Sequence, residues 1–103
     1  MKIEILYFDG CPSHELADRR VREVLEEMAV DAELVRINVK DQATAIEVRF
    51  PGSPTVRING EDVVPVPSGE PHSMRCRVYP ASTGFEGAPN KAEIRAAIEK
   101  SAA

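Results

Sequence analysis

The 103-residue sequence contains no tryptophan, has only two cysteines, and lacks both a long apolar run and an excess of basic residues. Seventeen acidic residues against 13 basic ones give a formal net charge of -4. This charge argues against nucleic-acid binding and against a polybasic membrane contact, which both need a positive surface. No stretch approaches the roughly 20 apolar residues of a membrane-spanning helix. No apolar signal segment precedes the first predicted strand, so we expect a cytoplasmic protein.

The scarcity of cysteine and of aromatic residues limits the class of protein further. Two cysteines are too few for a disulfide framework, and in a reducing compartment such thiols are reactive, metal-binding or simply buried. Because aromatic residues are few, valine, isoleucine and leucine must fill the core. The chain length favours one domain over residues 1–103, and we expect no cofactor.

Hydrophobic periodicity predicts an α/β fold in which three helices flank a four-stranded mixed sheet. The first strand is apolar on both faces toward its end, which indicates a central strand covered on both sides. The first three segments fit a parallel βαβ unit with a right-handed crossover. The predicted order is β-α-β-α-β-β-α, with strands at residues 2–8, 32–39 and 55–58 and helices at residues 14–29, 41–49 and 91–100.

The short second and third helices carry their own start signals. Asp41 and Asn90 are the residue types that cap helix N-termini, and we expect each to begin a helix. Within the second helix, the spacing predicts that Ala45, Ile46 and Phe50 face the core.

The position of the fourth strand is open in the sequence. Asn59-Gly60 is a strong tight-turn signal, so residues 61–66 could return as the partner of the third strand. Alternatively, residues 74–79 form that strand. Prolines and glycines predict loops at residues 65–73 and 80–89 in either case.

The stretch with the clearest chemistry is residues 9–14, which joins the first strand to the first helix. Cys11 lies there, where a helix N-terminus presents unpaired N–H groups and partial positive charge. That environment favours the thiolate, which is the reactive form of cysteine. His14 could hydrogen-bond to the thiolate or pair with it when protonated, whereas the Asp9 carboxylate disfavours it. The sequence therefore predicts Cys11 as a nucleophile and His14 as its neighbour.

Two motifs make the chain resemble the thioredoxin/glutaredoxin superfamily over nearly its whole length. Residues 10–14 (Gly-Cys-Pro-Ser-His) stand at the position of that family's Cys-x-x-Cys motif. Residues 52–56 (Gly-Ser-Pro-Thr-Val) are similar to the family's cis-proline loop. A closer resemblance is to a small thioredoxin-like branch that has a Gly-Cys-Pro start and a later Cys-Arg-Val-Tyr segment, here residues 76–79.

The resemblance implies a thioredoxin-like fold and a substrate site around Cys11. It implies that Ser53–Pro54 is a cis peptide beside Cys11, with backbone available to pair with a bound substrate. Pro54 would then position the substrate chain. The residues expected to contact substrate are Pro12, Ser13, Ser53 and Thr55.

The sequence departs from the family pattern where the second motif cysteine is expected, because His14 stands there. Cys11 therefore lacks the usual resolving thiol, and resolution would fall to Cys76, glutathione or a partner thiol. If residues 61–66 form the fourth strand, Cys76 lies on a loop that could reach Cys11. Cys76 could instead join Cys11 and His14 around zinc or mercury, or be a small buried hydrophobe.

Two functions follow as hypotheses, and the sequence leaves open whether the chain is an enzyme. The first is thiol-disulfide exchange at Cys11, acting on a protein disulfide or a small thiol such as glutathione. The alternative is a non-enzymatic binding module for a protein partner or a thiophilic metal. A homodimer formed through an exposed strand edge is a further possibility. Arg57, Arg75 and Arg77 are expected on exposed strand faces as a basic strip.

Overall fold

The structure is a computed structural model that describes residues 1–66, 69, 71–82 and 84–102. Over these residues, the chain has an α/β architecture with a mixed sheet of four strands, a separate two-stranded hairpin and three helices. The strands are β1 (Lys2–Tyr7), β2 (Glu33–Asn38), β3 (Thr55–Ile58), β4 (Glu61–Asp62), β5 (Tyr79–Ala81) and β6 (Gly84–Glu86), and the helices are α1 (His14–Met28), α2 (Gln42–Glu47) and α3 (Lys91–Ala102).

The main sheet has the strand order β2-β1-β3-β4, which places β1 inside the sheet. β1 runs parallel to β2 and antiparallel to β3, so that Ile5 lies between Arg36 and Val56. The prediction of a central first strand and a parallel βαβ unit is confirmed. The C-terminal end of β1, where α1 begins, therefore lies beside the loop that precedes β3, because the two strands are antiparallel.

The fourth strand is the first of the two predicted possibilities, but it contains only two residues. Glu61 and Asp62 pair with Ile58 and Arg57 directly after the Asn59-Gly60 turn. The strand ends early because the Asp62 side chain accepts the backbone N–H of Val64 at 3.0 Å, which turns the chain away. Residues 74–79 do not join the main sheet. Residues 67, 68 and 70 of the predicted 65–73 loop lie outside the described residues.

The helices cover both faces of the main sheet. Helices α1 and α3 pack on one face, and α2 packs on the other, which explains why β1 is apolar on both sides. The buried residues of the α1–α3 face are Ile3, Ile5, Ala17, Val21, Val24, Val56, Ile58, Ala88, Ile94 and Ile98. The buried residues of the α2 face are Leu6, Val39, Ala45 and Phe50.

Both predicted helix caps are confirmed. The Asp41 carboxylate accepts the N–H of Thr44 at 2.7 Å. Asn90 and Glu93 form a reciprocal capping box, in which the Asn90 side chain accepts the Glu93 N–H at 2.7 Å and the Glu93 side chain accepts the Asn90 N–H at 3.1 Å. These bonds satisfy N–H groups that the helix itself leaves unpaired.

The prediction that Ile46 faces the core is wrong. Ala45 and Phe50 are fully buried as predicted, but 58% of Ile46 is exposed. The short helix turns only one narrow face to the sheet, and the Phe50 N–H closes the end of α2 by donating to the Ala45 carbonyl oxygen at 2.8 Å.

The predicted loop at residues 80–89 contains a hairpin that the sequence did not indicate. β5 and β6 pair antiparallel through three residue pairs, from Tyr79 with Glu86 to Ala81 with Gly84. Residue 83 lies outside the described residues. The Arg20 guanidinium fastens this hairpin to α1, because it donates to both carboxylate oxygens of Glu86 at 3.2–3.3 Å. Within the described part of the chain, no helix is long and apolar enough to cross a membrane.

Candidate active site

Cys11 lies in the turn between β1 and α1, where it is almost completely buried. Its backbone N–H donates to the carbonyl oxygen of Phe8 at 3.2 Å, which closes the turn after β1. Only 1% of the residue is exposed. Ser13 stands at the N-cap of α1 without a capping side-chain bond, and both its N–H and its hydroxyl hydrogen-bond to the Cys11 sulfur. The sequence prediction that Cys11 lies just ahead of a helix is confirmed.

The loop before β3 brings Ser53 against the Cys11 thiol. The Ser53–Pro54 peptide bond is cis, as the family resemblance implied. The Cys11 thiol donates to the carbonyl oxygen of Ser53, with Sγ and oxygen 3.5 Å apart. The Thr55 hydroxyl donates to the Gly52 carbonyl oxygen at 2.7 Å, which holds the loop from within.

The backbone of Ser53 is occupied by a segment that we term the strap, residues 73–78. The Ser53 N–H donates to the Arg75 carbonyl oxygen, and the Arg77 N–H donates to the Ser53 carbonyl oxygen, both at 2.7 Å. This parallel bridge sets Cys76 beside Ser53. Gly52, with φ of +139°, permits the approach, since a Cβ there would lie 3.1 Å from the Arg75 oxygen. The expectation that this backbone is available to a substrate is therefore wrong for the structure as it stands.

The strap brings the two thiols of the chain together. Burial raises the pKa of Cys11, but hydrogen bonds from Cys76, Ser13 and Ser53 outweigh it and leave that pKa below its ordinary value. The hydrogen bond to Cys11 raises the pKa of Cys76, and burial and the Cys11 charge raise it further. The two shifts make Cys11, rather than Cys76, the thiol of the pair that ionises first. Both cysteines are free, Cys11 buried and Cys76 exposed.

Two predictions about Cys76 are settled by this arrangement. Cys76 lies on a loop that reaches Cys11, as expected if β4 follows the Asn59-Gly60 turn. The alternative that Cys76 is a small buried hydrophobe is wrong, because its side chain is exposed.

His14 takes a different role from the one that the sequence suggested. Its ring stacks on Tyr7, with centroids 4.3 Å apart and planes 21° apart. Its Nδ1 lies 2.8 Å from the carbonyl oxygen of Cys11, an acceptor, so this nitrogen carries the proton. None of the interactions that shift the pKa of Cys11 comes from His14. The predicted bond between His14 and the thiolate is absent among these interactions, because the ring is held by the backbone and by Tyr7.

The predicted substrate contacts differ in their accessibility. Pro12 is exposed and Ser13 is half-buried. Ser53 and Thr55 have no exposed surface, and Pro54 is buried with them. Contacts from the strap and from Tyr79 cover Ser53, Pro54 and Thr55, so these three residues support the site rather than face solvent.

Arg77 anchors the strap to the sheet, a role that the sequence did not indicate. Its guanidinium forms a salt bridge of 2.8 Å with Asp62 and donates to the Thr55 hydroxyl at 3.2 Å. It also donates to the Val64 carbonyl oxygen and lies over the Tyr79 ring, 4.6 Å from the centroid. Only 8% of the Arg77 side chain is exposed. The charge of Arg77 is therefore paired with that of Asp62 inside the fold.

The prediction of an exposed basic strip is consequently wrong for Arg77. Arg57 is half-buried and donates to the carbonyl oxygens of Val48 and Arg49 at 2.9 and 2.8 Å, which ends α2 against β3. Tyr79 adds a second anchor, because its hydroxyl donates to the Pro54 carbonyl oxygen. The Cys-Arg-Val-Tyr segment of the resemblance was the only sequence signal for this network.

Within the ranges that the structure describes, no three histidine, cysteine or acidic side chains are grouped so that they could hold a metal ion. The trio of Cys11, Cys76 and His14 is thus not assembled, since the His14 ring is held by the backbone. Comparison with family models, with curated proteins and with solved structures finds no match to this chain.

Proposed function

We propose that this protein carries out thiol-disulfide exchange, with Cys11 and Cys76 as its redox pair on a thioredoxin-like fold. The observation that carries the proposal is that Cys11 and Cys76 both lie against Ser53, where their interaction lowers the pKa of Cys11 and raises that of Cys76. A stabilised thiolate next to a protonated thiol is the arrangement from which a dithiol exchanges with a disulfide.

The layout of the chain supports the thioredoxin-like assignment. Cys11 follows β1, which is central in a mixed sheet, and three helices flank that sheet as the resemblance implies. The loop before β3 lies against Cys11 at the same edge. The hairpin β5–β6 and the strap are additions that this simple layout does not contain.

Cys76 would supply, from the strap, the thiol that the sequence motif lacks at His14. The net reaction converts the two thiols and a substrate disulfide into one Cys11–Cys76 disulfide and two substrate thiols. Two electrons pass from the protein to the substrate. With Cys11 ionised, the substrate sulfurs take one proton from Cys76 and one from water. A small thiol such as glutathione would return the pair to the reduced state through two further exchanges.

The test uses the wild-type chain and the variants Cys11→Ser and Cys76→Ser, each incubated with glutathione disulfide. Wild type should lose two hydrogens in intact mass as the internal disulfide forms, and both variants should stop at a mixed disulfide. Glutathione-linked or insulin reductase activity should be lost in Cys11→Ser. Unchanged activity in both variants would falsify the proposed redox pair.

The same pair of thiols favours one other function, the capture of a soft metal ion. Thiolates are preferred ligands of such ions, and a pair can hold one that accepts two ligands. Stoichiometric mercury uptake that is lost in both variants, together with no disulfide exchange, would support a binding module instead. A protein partner that is retained by both variants would separate binding from thiol chemistry.

A further inference from the structure

The two thiols of the pair differ sharply in their access to solvent. Cys11 is 1% exposed, because the strap and the loop before β3 lie over it. Cys76, by contrast, is exposed. The thiol with the lowered pKa is therefore covered, and the thiol that a substrate can reach has the raised pKa.

Several hydrogen bonds and a salt bridge hold the strap in place. Detaching the strap so that a substrate can reach Cys11 is therefore energetically costly. Two backbone bonds of 2.7 Å tie it to Ser53. Next to them, Arg77 is bound to Asp62 at 2.8 Å and to the Thr55 hydroxyl at 3.2 Å. Tyr79, which is 1% exposed, binds the Pro54 carbonyl oxygen just beyond the strap. Uncovering Cys11 would break these buried polar contacts together.

We propose that Cys76, and not Cys11, makes the first attack on a substrate disulfide, while Cys11 acts as its base and then as the resolving thiol. This inference rests on the redox function proposed above and reverses the order that the sequence suggested. Its structural basis is the exposed Cys76 beside the covered Cys11, since both residues lie against Ser53.

The steps balance with water as the only further reactant. The proton of the Cys76 thiol passes along the hydrogen bond to the Cys11 thiolate, and the Cys76 sulfur attacks the nearer substrate sulfur. The substrate disulfide breaks, and the first substrate half leaves as a thiolate that takes the proton from Cys11. The Cys11 thiolate then attacks the Cys76 sulfur, the mixed disulfide breaks, and the second half leaves and takes a proton from water.

The chemistry of thiols supports this order of events. A thiol of higher pKa gives a more nucleophilic thiolate once it is deprotonated. The Cys11 thiolate is a local base for that deprotonation, and Cys76 attacks from the solvent side. Cys11 then regains its charge at the step in which it is needed as a nucleophile, so that one hydrogen bond serves both halves of the reaction.

A groove beside Cys76 leaves room for the part of the substrate that does not react. Its volume is about 420 Å³, and Cys76 lies in its wall. The strap side includes Val78, which is 65% exposed, and the opposite side includes Val66, which is 37% exposed. We assign this groove to the substituent of the substrate disulfide, since it is continuous with the exposed thiol.

The experiment compares how fast each single-cysteine variant forms a mixed disulfide with glutathione disulfide. Cys11→Ser leaves only Cys76, and Cys76→Ser leaves only Cys11. Samples quenched with acid are digested, and mass spectrometry locates the bound glutathione. We expect Cys76 in the first variant to react at least tenfold faster than Cys11 in the second. Wild type quenched earliest should carry glutathione on Cys76.

Hydrogen exchange at the Ser53 and Arg77 amides serves as the control. Both amides bond across the strap, so slow exchange in each variant shows that the strap stays attached. Faster reaction of Cys11 with the strap attached would overturn the proposed order while leaving the redox pair intact. Failure of both variants to form a mixed disulfide would instead overturn the redox function and this inference with it.

Discussion

The strap anchor can be tested by removing one charge from its salt bridge. Asp62 and Arg77 have side-chain exposures of 16% and 8%, and their charged groups are 2.8 Å apart. The substitution Asp62→Asn removes the negative charge but keeps an oxygen that can accept the Val64 N–H, as Asp62 Oδ1 does now at 3.0 Å. The decrease in the free energy of unfolding should therefore reflect the lost ion pair rather than a change in the turn after β4.

The expected cost follows from what remains around Arg77. Removing one partner of a buried ion pair costs about 3–5 kcal/mol. Here Arg77 still donates to the Val64 carbonyl oxygen and the Thr55 hydroxyl, and Asp62 is partly exposed. We therefore expect a loss of about 2 kcal/mol in the free energy of unfolding. For a chain of this length, each kcal/mol lowers Tm by about 4–8 °C.

Urea unfolding at neutral pH, with equal m-values, measures the effect. The matched control is Glu61→Gln in the same strand. Glu61 pairs with Lys100 at 3.9 Å, and these side chains are 76% and 81% exposed, so we expect little measurable change. The double variant Asp62→Asn with Arg77→Met should recover part of the loss, because it leaves no buried charge unpaired and keeps an acceptor for the Val64 N–H. Equal costs for Asp62→Asn and Glu61→Gln would refute the reasoning.

Two further predictions concern α1. Hydrogen bonding to Arg36 holds the pKa of Asp18 below its usual range. Asp18 therefore contributes stability above a pH of about 4, and this stability is lost as pH falls through the lowered pKa. In urea titrations, Asp18→Asn should cost about 1 kcal/mol of unfolding free energy at pH 7, less in acid, and more than the control Asp31→Asn. A Cβ at Gly87 would lie 2.3 Å from Oγ of Ser13, so Gly87→Ala should cost about 1–3 kcal/mol, and recovery by Ser13→Gly, measured as Tm, separates this contact from a general effect of alanine.

Much of the fold could be predicted because its signals are local. The alternation of Ile3 and Ile5 and the spacing of Val21 and Val24 specify a strand and a helix by period alone. The bounds of β3 agree with the prediction, since a proline and a tight turn frame it. The β5–β6 hairpin was missed because proline and glycine in it resemble a loop, and Tyr79 is buried by distant residues.

The sequence predicted which residues form the candidate site better than it predicted how they are arranged. The motif pointed to Cys11, and the turn at Asn59 made a meeting with Cys76 conceivable. Which groups hydrogen-bond to Cys11 could not be read from the sequence, because His14 and Ser13 both follow it closely and orientation decides between them. The burial of Arg77 could not be predicted either, since its partners Thr55, Asp62 and Val64 lie 13–22 positions away along the chain.

The separation of the two thiols along the chain links folding to oxidation. Cys11 and Cys76 are about 65 positions apart, and closing such a loop restricts the unfolded chain by about 4 kcal/mol. By thermodynamic linkage, the folded chain would favour the disulfide over the unfolded chain by the same amount, or roughly 90 mV. Two thiols on one helical turn keep a high effective concentration even in an unfolded peptide. In this protein, only the folded tertiary structure brings the two thiols to a high effective concentration. The oxidation state of the pair would therefore report whether the strap is docked against Ser53.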